Sequence, residues 1–227
     1  MDGRRYRDDI DPDEGGRMPP PTTIAKSRRV WDRQAARYDR GMRYVEARLL
    51  AGGREWVASR ATGRVLEVAV GTGLTLRHYP ADIQLTGIEL APAMLDIARR
   101  RATALGRPAD LREGDAHALS FPDESFDTVT CVLSLCAIAD SATALTEMRR
   151  VLRPGGRLLL LDHVASTSRA LHLLQWLVER VTLPLQGERF TQRTLPLVRA
   201  TGFDIIEQER LKAGVVQRIH ARKAPSG

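Results

Sequence analysis

Cysteine is nearly absent from this chain: Cys131 and Cys136 are the only two in 227 residues. Their spacing is neither a zinc-ligand pattern nor Cys-x-x-Cys, which argues against a metal framework or a redox motif. Both fall at or just after an apolar segment, and small buried hydrophobes are what such thiols usually become. No apolar run approaches the roughly 18 residues of a membrane-spanning helix. The N-terminus also lacks a secretory core, so a cytoplasmic location is the default. A basic arm is missing too, although the formal net charge is +7. In residues 1–29, seven bases face six acids, and there is no separate module in which aromatics, 5% of the chain, interleave with bases. No specific nucleic-acid partner is therefore expected. Nothing in the sequence sets an oligomeric state.

What is present is ordinary globular material, 43% hydrophobic and 28% charged, long enough for one well-buried domain with a short extension. Residues 1–22 mix charges with glycines and prolines and are expected to be a disordered tail. Residues 23–62 read as an N-terminal helical lid and 63–223 as the main domain, with an acceptor-side insertion at about 166–196. Within the lid, Trp31, Ala35 and Tyr38 recur at helical spacing. A second helix is expected from Met42 to about Ala61, broken or kinked at Gly52-Gly53.

The organising stretch is Arg64-Val-Leu-Glu-Val-Ala-Val-Gly-Thr-Gly73. A continuous apolar run of this kind is a strand buried on both faces. Glu67 interrupts it, and a carboxylate there requires a partner or a function. Gly71 and Gly73 allow positive φ and let a ligand approach the backbone. A second strand, Ile83–Glu89, ends in an acid sixteen residues beyond Gly73. A carboxylate at that strand end, roughly 20 residues on, suits the two hydroxyls of a ribose. A third strand ends near Asp115, able to accept from an adenine amino group. Phe126–Leu133 and Arg157–Asp162 read as the fourth and fifth strands, with the helix Ser141–Leu152 between them capped by its serine. Arg99-Arg100-Arg101 late in a helix reads as a solvated end. A further helix is expected to run from a Thr191 cap to Ala200, followed by strands Phe203–Glu209 and Val215–Arg222. A dinucleotide fingerprint would need glycine at position 76, where Leu76 stands, so a nicotinamide-dependent oxidoreductase is disfavoured.

The VLEVAVGTG stretch, the GIELAPAML acidic turn, the GDAHALSFPDESFDTV segment and the RRVLRPGG turn together resemble the class I S-adenosylmethionine-dependent methyltransferases. The resemblance covers about residues 30–223. It implies an α/β Rossmann-like three-layer sandwich with a seven-stranded, mostly parallel sheet ordered 3-2-1-4-5-7-6, the last strand antiparallel. It also implies S-adenosylmethionine as cofactor. Glu67 would then stabilise the turn and the amino end of methionine, with Gly71 and Gly73 admitting it, and Glu89 would hold the ribose. Asp115 and the Ala116 amide would read adenine, and Leu90, Met94 and Leu133 complete the set. Ala69 departs from the family's usual glycine, which suggests close packing there. Val30–Asp39 is similar to the W-D-x-x-A-x-x-Y-D opening of ubiquinone- and menaquinone-biosynthesis methyltransferases. There this segment folds over the cofactor, which makes Tyr38 a contact; docking on the core is the other reading.

Leu133–Ala139 lacks the Asn/Asp-Pro-Pro-Tyr/Phe clamp of enzymes that methylate amide or ring-amino nitrogen. An oxygen, sulfur, carbon or simple amine nucleophile on a small molecule or lipid fits better. Asp162 and His163 lie at the carboxyl edge of the fifth strand, which in a doubly wound sheet faces the ligand crevice. His163 is the leading candidate to take the acceptor's proton or orient it, with Asp162 beside it; satisfying loop carbonyls is the alternative. His117 is expected at the surface. Ala170–Val181 puts His172, Gln175 and Glu179 on one helical face and apolar residues on most of the rest. That helix could line an acceptor pocket, rest on the inner membrane face, or pack on the sheet. The C-terminal half is similar to membrane-associated thiol methyltransferase-like proteins and to bacterial phosphatidylethanolamine N-methyltransferases. A non-catalytic cofactor-binding scaffold of the same fold and an RNA methyltransferase are the weaker readings.

Overall fold

A computed structural model describes residues 21–50 and 52–225. The expected tail lies outside the described residues up to position 20, and helix α1 (Pro21–Val45) begins directly after it. A π-helical turn, Glu46–Leu50, then leads to α2 (Gly53–Ala58). The expected start at Met42 is not observed, since that residue lies within α1, but the expected break at Gly52-Gly53 is. The break falls at Gly52, whose φ of 73° a helical residue does not adopt.

The sheet comprises β1 (Arg64–Val68), β2 (Gln84–Glu89), β3 (Asp110–Glu113), β4 (Phe126–Val132), β5 (Leu152–His163), β6 (Phe203–Leu211) and β7 (Val216–Lys223). Their order is β3-β2-β1-β4-β5-β7-β6, with β7 antiparallel to both neighbours and the other pairings parallel. Helices α3 (Pro92–Ala104), α4 (Ser141–Val151), α5 (Arg169–Gln186) and α6 (Thr194–Ala200) complete the chain.

The unbroken apolar strands are explained by cover on both faces. Leu66, Val68, Leu158 and Leu160 belong to one core with Leu145 and Met148 of α4. Val65, Leu159 and Leu161 join the other with Val57 of α2 and Leu95 of α3. Alternate residues of one strand thus feed opposite cores, so no polar face is left to show. Cys131 and Cys136 are buried free thiols, as their spacing suggested.

Two caps differ from expectation. Asp140, not Ser141, caps α4, its carboxylate accepting from Ala142 N and Thr143 N at 3.0 Å each. Ser141 instead donates to Leu135 O. Thr191 caps nothing: α6 starts three residues later, and Thr191 donates through N and Oγ1 to Glu179.

Candidate active site

The turn after β1 carries the site. Ala69 has φ 55° and Gly71 φ 58°, so the chain reverses through left-handed backbone at the carboxyl edge of the sheet. Glu89, at the end of β2, holds this turn open. Its carboxylate accepts from Gly71 N and from Ala91 N, each at 2.9 Å. Burial pushes that carboxyl up, opposed by these amides and by Leu90 N. Tyr38, Ala69, Gly71, Glu89, Leu90, Met94, Asp115, Ala116 and Leu133 all line one cleft. A Cβ at Gly71 would meet nothing within 4 Å, whereas one at Gly73 would reach 2.7 Å from Leu76 and 3.3 Å from the Ala98 backbone. Gly71 is therefore bare toward the cleft, while Gly73 is bare so that α3 can pack against the turn.

Glu67 sits behind the turn, 2% exposed, with Oε2 lacking any partner. Burial pushes its carboxyl up to about 7, against the pull of the Thr75 hydroxyl, Arg54 and the Tyr79 hydroxyl. Arg54, on α2, donates to Thr75 Oγ1 at 3.1 Å and pairs with Glu46. An orphaned carboxylate oxygen beside an open glycine turn is what a cationic amino group would complete. The residues present therefore fit the methionine end of S-adenosylmethionine.

Beside Asp115 the structure corrects one reading. His117 is not at the surface but 7% exposed, and it lines the cleft. Its Nε2 accepts from Asp140 N at 3.2 Å, which makes Nδ1 the protonated nitrogen that donates to Asp115 Oδ1 at 2.6 Å. His117 N donates to the same oxygen. Desolvation raises the Asp115 carboxyl, but the His117 hydrogen bonds outweigh it and hold it below its ordinary value. A histidine thus fixes the Asp115 carboxylate at the cleft and ties it to the start of α4.

Helix α1 forms the lid, contributing Ile24, Ser27, Trp31 and Tyr38 to the cleft. Asp32 Oδ1 accepts from Ala93 N at 2.9 Å and so caps α3 from outside. Asp39 accepts from Thr72 Oγ1 at 2.6 Å and pairs with Arg101. Arg101 is thus no solvated helix end: it also donates to Thr72 O and latches lid, turn and α3 together. Both acids of the W-D-x-x-A-x-x-Y-D opening thus hold α1 to its neighbours, Asp32 at the start of α3 and Asp39 at Thr72 and Arg101. Tyr38 packs edge-on against Trp31 at 6.1 Å, and burial pushes its phenol up to about 12.

Asp162 and His163 do not line the cleft and lie just beyond it. Asp162, 2% exposed, accepts from Cys136 N and from His163 N at 2.8 Å each, so both oxygens hold backbone. His163 Nδ1 is 3.6 Å from Cys136 Sγ, and its ring lies 5.6 Å from that of Phe190. Burial pushes the Cys136 thiol well up, which keeps it protonated. Glu188, unnoticed in the sequence, faces the same histidine: burial raises its carboxyl and His163 opposes the rise. No local pattern marks Glu188, which sits past the end of α5 and is brought in by the fold alone. Ser134, also missed, donates to Ala69 O at 3.2 Å and lines the cleft.

This strand order and cleft define a nucleoside-binding methyltransferase fold. A family model described as a methyltransferase domain matches residues 66–160. The chain is 42% identical over 105 residues to the phosphatidylethanolamine N-methyltransferase of Cereibacter sphaeroides, covering 45% of this chain and 52% of that protein. It is 35% identical over 177 residues to the ubiquinone/menaquinone biosynthesis C-methyltransferase of Paracoccus denitrificans, covering 70% of this chain and 67% of the relative. A solved S-adenosylmethionine-dependent methyltransferase from Thermotoga maritima superposes with a TM-score of 0.67 at 24% identity, over 87% of this chain and 99% of that one, which shows the shared fold. The chain belongs to the class I S-adenosylmethionine-dependent methyltransferases, among the relatives of the ubiquinone/menaquinone-biosynthesis C-methyltransferases. It spans 52–60% of the length of the first curated relatives it matches.

Proposed function

We propose that this protein methylates an oxygen, sulfur, carbon or amine nucleophile on a small-molecule or lipid acceptor, using S-adenosylmethionine. The observation that carries the reading is the buried Glu67 oxygen without a partner behind a glycine turn that Glu89 holds open. When bound, the cofactor supplies an activated sulfonium methyl for in-line displacement. The chain's own task is then orientation, which can remove about 7–11 kcal/mol from a barrier. Gly71, Glu89 and Asp115 hold the nucleoside, Glu67 the amino end, and Trp31 and Tyr38 exclude water from above. His163, with Glu188 beside it, is the base this reading assigns to the acceptor's proton. A thiol with a pKa near 8.5 needs little such help, a phenol near 10 rather more.

Relatives named for phosphatidylethanolamine N-methylation and for C-methylation in ubiquinone/menaquinone biosynthesis support an amphiphilic acceptor. No helix among the described residues is long and apolar enough to cross a membrane. A cytoplasmic protein in peripheral contact with the inner membrane face accommodates both facts. The test is a screen of methyl-labelled S-adenosylmethionine against thiols, phenols, amines, quinols and phospholipids, with wild type and His163→Ala compared. Label transfer to one class, at least tenfold slower in the variant, is expected. Tight cofactor binding without transfer to any class would instead identify a scaffold.

A further inference from the structure

Helix α5 is seated with its polar side inward. Gln175 Nε2 donates to Val164 O at 2.9 Å and to Phe190 O at 3.1 Å, while its Oε1 accepts from Ser166 N at 2.7 Å. Glu179 accepts from Thr191 N and Oγ1. These contacts lock the narrow polar arc against the domain. The rest of the circumference faces out: Leu173, Leu174, Trp176, Leu177, Val178 and Val181 are 41–61% exposed. A helix on a soluble domain ordinarily shows the reverse orientation, and a contiguous exposed apolar face marks an interaction site.

Helix α1 touches α5, and its outer face is a line of cations. Lys26, Arg29, Arg33, Arg37 and Arg40 recur three or four residues apart and are all exposed. None of them pairs with an acid among the described residues. Tyr44, 66% exposed, continues the line. On α5 itself Arg180 lies over the Trp176 ring at 4.5 Å, an aromatic and a cation paired as at a bilayer interface.

We propose that the outer face of α5, together with the cationic line of α1, seats this protein on an anionic lipid bilayer. Apolar side chains enter the headgroup–acyl boundary while arginines without an acidic partner among the described residues meet lipid phosphates. A second copy is the poorer occupant, because a two-fold contact through α5 would bring the two cationic lines toward one another, like charge against like. Gln175 ties α5 to Val164, the residue directly after His163 at the end of β5, so the seated face adjoins the acceptor side of the site. The inference deepens the amphiphilic-acceptor reading and rests on it for its purpose.

Sedimentation of the full chain with vesicles of phosphatidylcholine, alone or with phosphatidylglycerol, tests the surface. Binding should be at least tenfold stronger to the anionic vesicles and fall with salt. Replacing Leu173, Leu177 and Val181 by Gln should lower it at least tenfold. Replacing Arg29, Arg33, Arg37 and Arg40 by Gln should do the same and flatten the salt dependence. Neither set should alter S-adenosylmethionine affinity or the melting curve by more than a small amount, since these side chains face solvent. Equal binding by wild type and both variants overturns the proposal, as does no vesicle binding at all. A wild-type dimer that the leucine variant dissolves also overturns it in favour of self-association. Methyl transfer to a water-soluble acceptor without vesicle binding would sink only the docking surface. Vesicle binding by a chain that fails to bind cofactor would sink the enzymatic reading instead.

Discussion

Glu67→Gln should strengthen the cofactor-free fold and weaken cofactor binding, and the two effects have one cause. Glu67 is an acid whose folded-state pKa is raised, from 4.5 to about 7, chiefly by burial. Below the lower value it is protonated folded and unfolded, and pH does not matter. Between the two, the unfolded chain gives up its proton first, so stability falls as pH rises. Above about 7 the full penalty is present: at about 1.4 kcal/mol per pKa unit, some 3 kcal/mol. Glutamine keeps the shape without the charge, so at pH 8 the variant should be more stable by about that amount. For a domain of this size that is on the order of 5–10 °C in melting temperature. At pH 4 the difference should vanish. Cofactor affinity should fall in the variant by roughly 10–100-fold, since a hydrogen bond to a charged group contributes about 1.5–3 kcal/mol. Binding to wild type near pH 6.5 should also release a proton, because an ammonium beside Glu67 lowers its pKa. Thermal melts at both pH values and calorimetry in buffers of different ionisation enthalpy check these outcomes. A variant with wild-type affinity and a melting curve unchanged at pH 8 would refute the assignment of Glu67.

Glu89→Ala removes the acceptor for two backbone amides and the proposed ribose contact, so cofactor affinity should drop at least tenfold by calorimetry. His117→Phe keeps the bulk but strands Asp115 and the Asp140 amide; affinity for 5′-methylthioadenosine should fall about tenfold, whereas Glu67→Gln should spare this ligand because it lacks the amino end. Ala69→Gly should raise stability slightly. The left-handed backbone costs an L-residue about 1–2 kcal/mol, more than the roughly 0.5–1 kcal/mol of extra chain entropy glycine brings. A melt lowered by several degrees would instead show that the Ala69 methyl is a packing contact.

The cofactor half was legible because its demands are local. A strand covered on both faces must be apolar throughout, a bare turn must be glycine, and an acid at a strand end has few other uses. Those constraints wrote Val65–Val70, Gly71 and Glu89 into short local stretches, and the strand order was implied by the family resemblance those stretches carry. Other assignments were decided by partners distant along the chain. His117 looked like a surface residue until Asp140, 23 positions on, supplied a donor to its ring. Arg101 looked solvated until Asp39 and Thr72 closed on it. Glu188 carries no motif and matters only because α5 and the segment after it bring it to His163. The sense of α5 belongs here as well: the sequence alone determined that this helix has a polar and an apolar side. Which side turned inward was settled by the carbonyls of Val164 and Phe190 and by the Thr191 hydroxyl and amide, polar groups that would otherwise be left buried without partners.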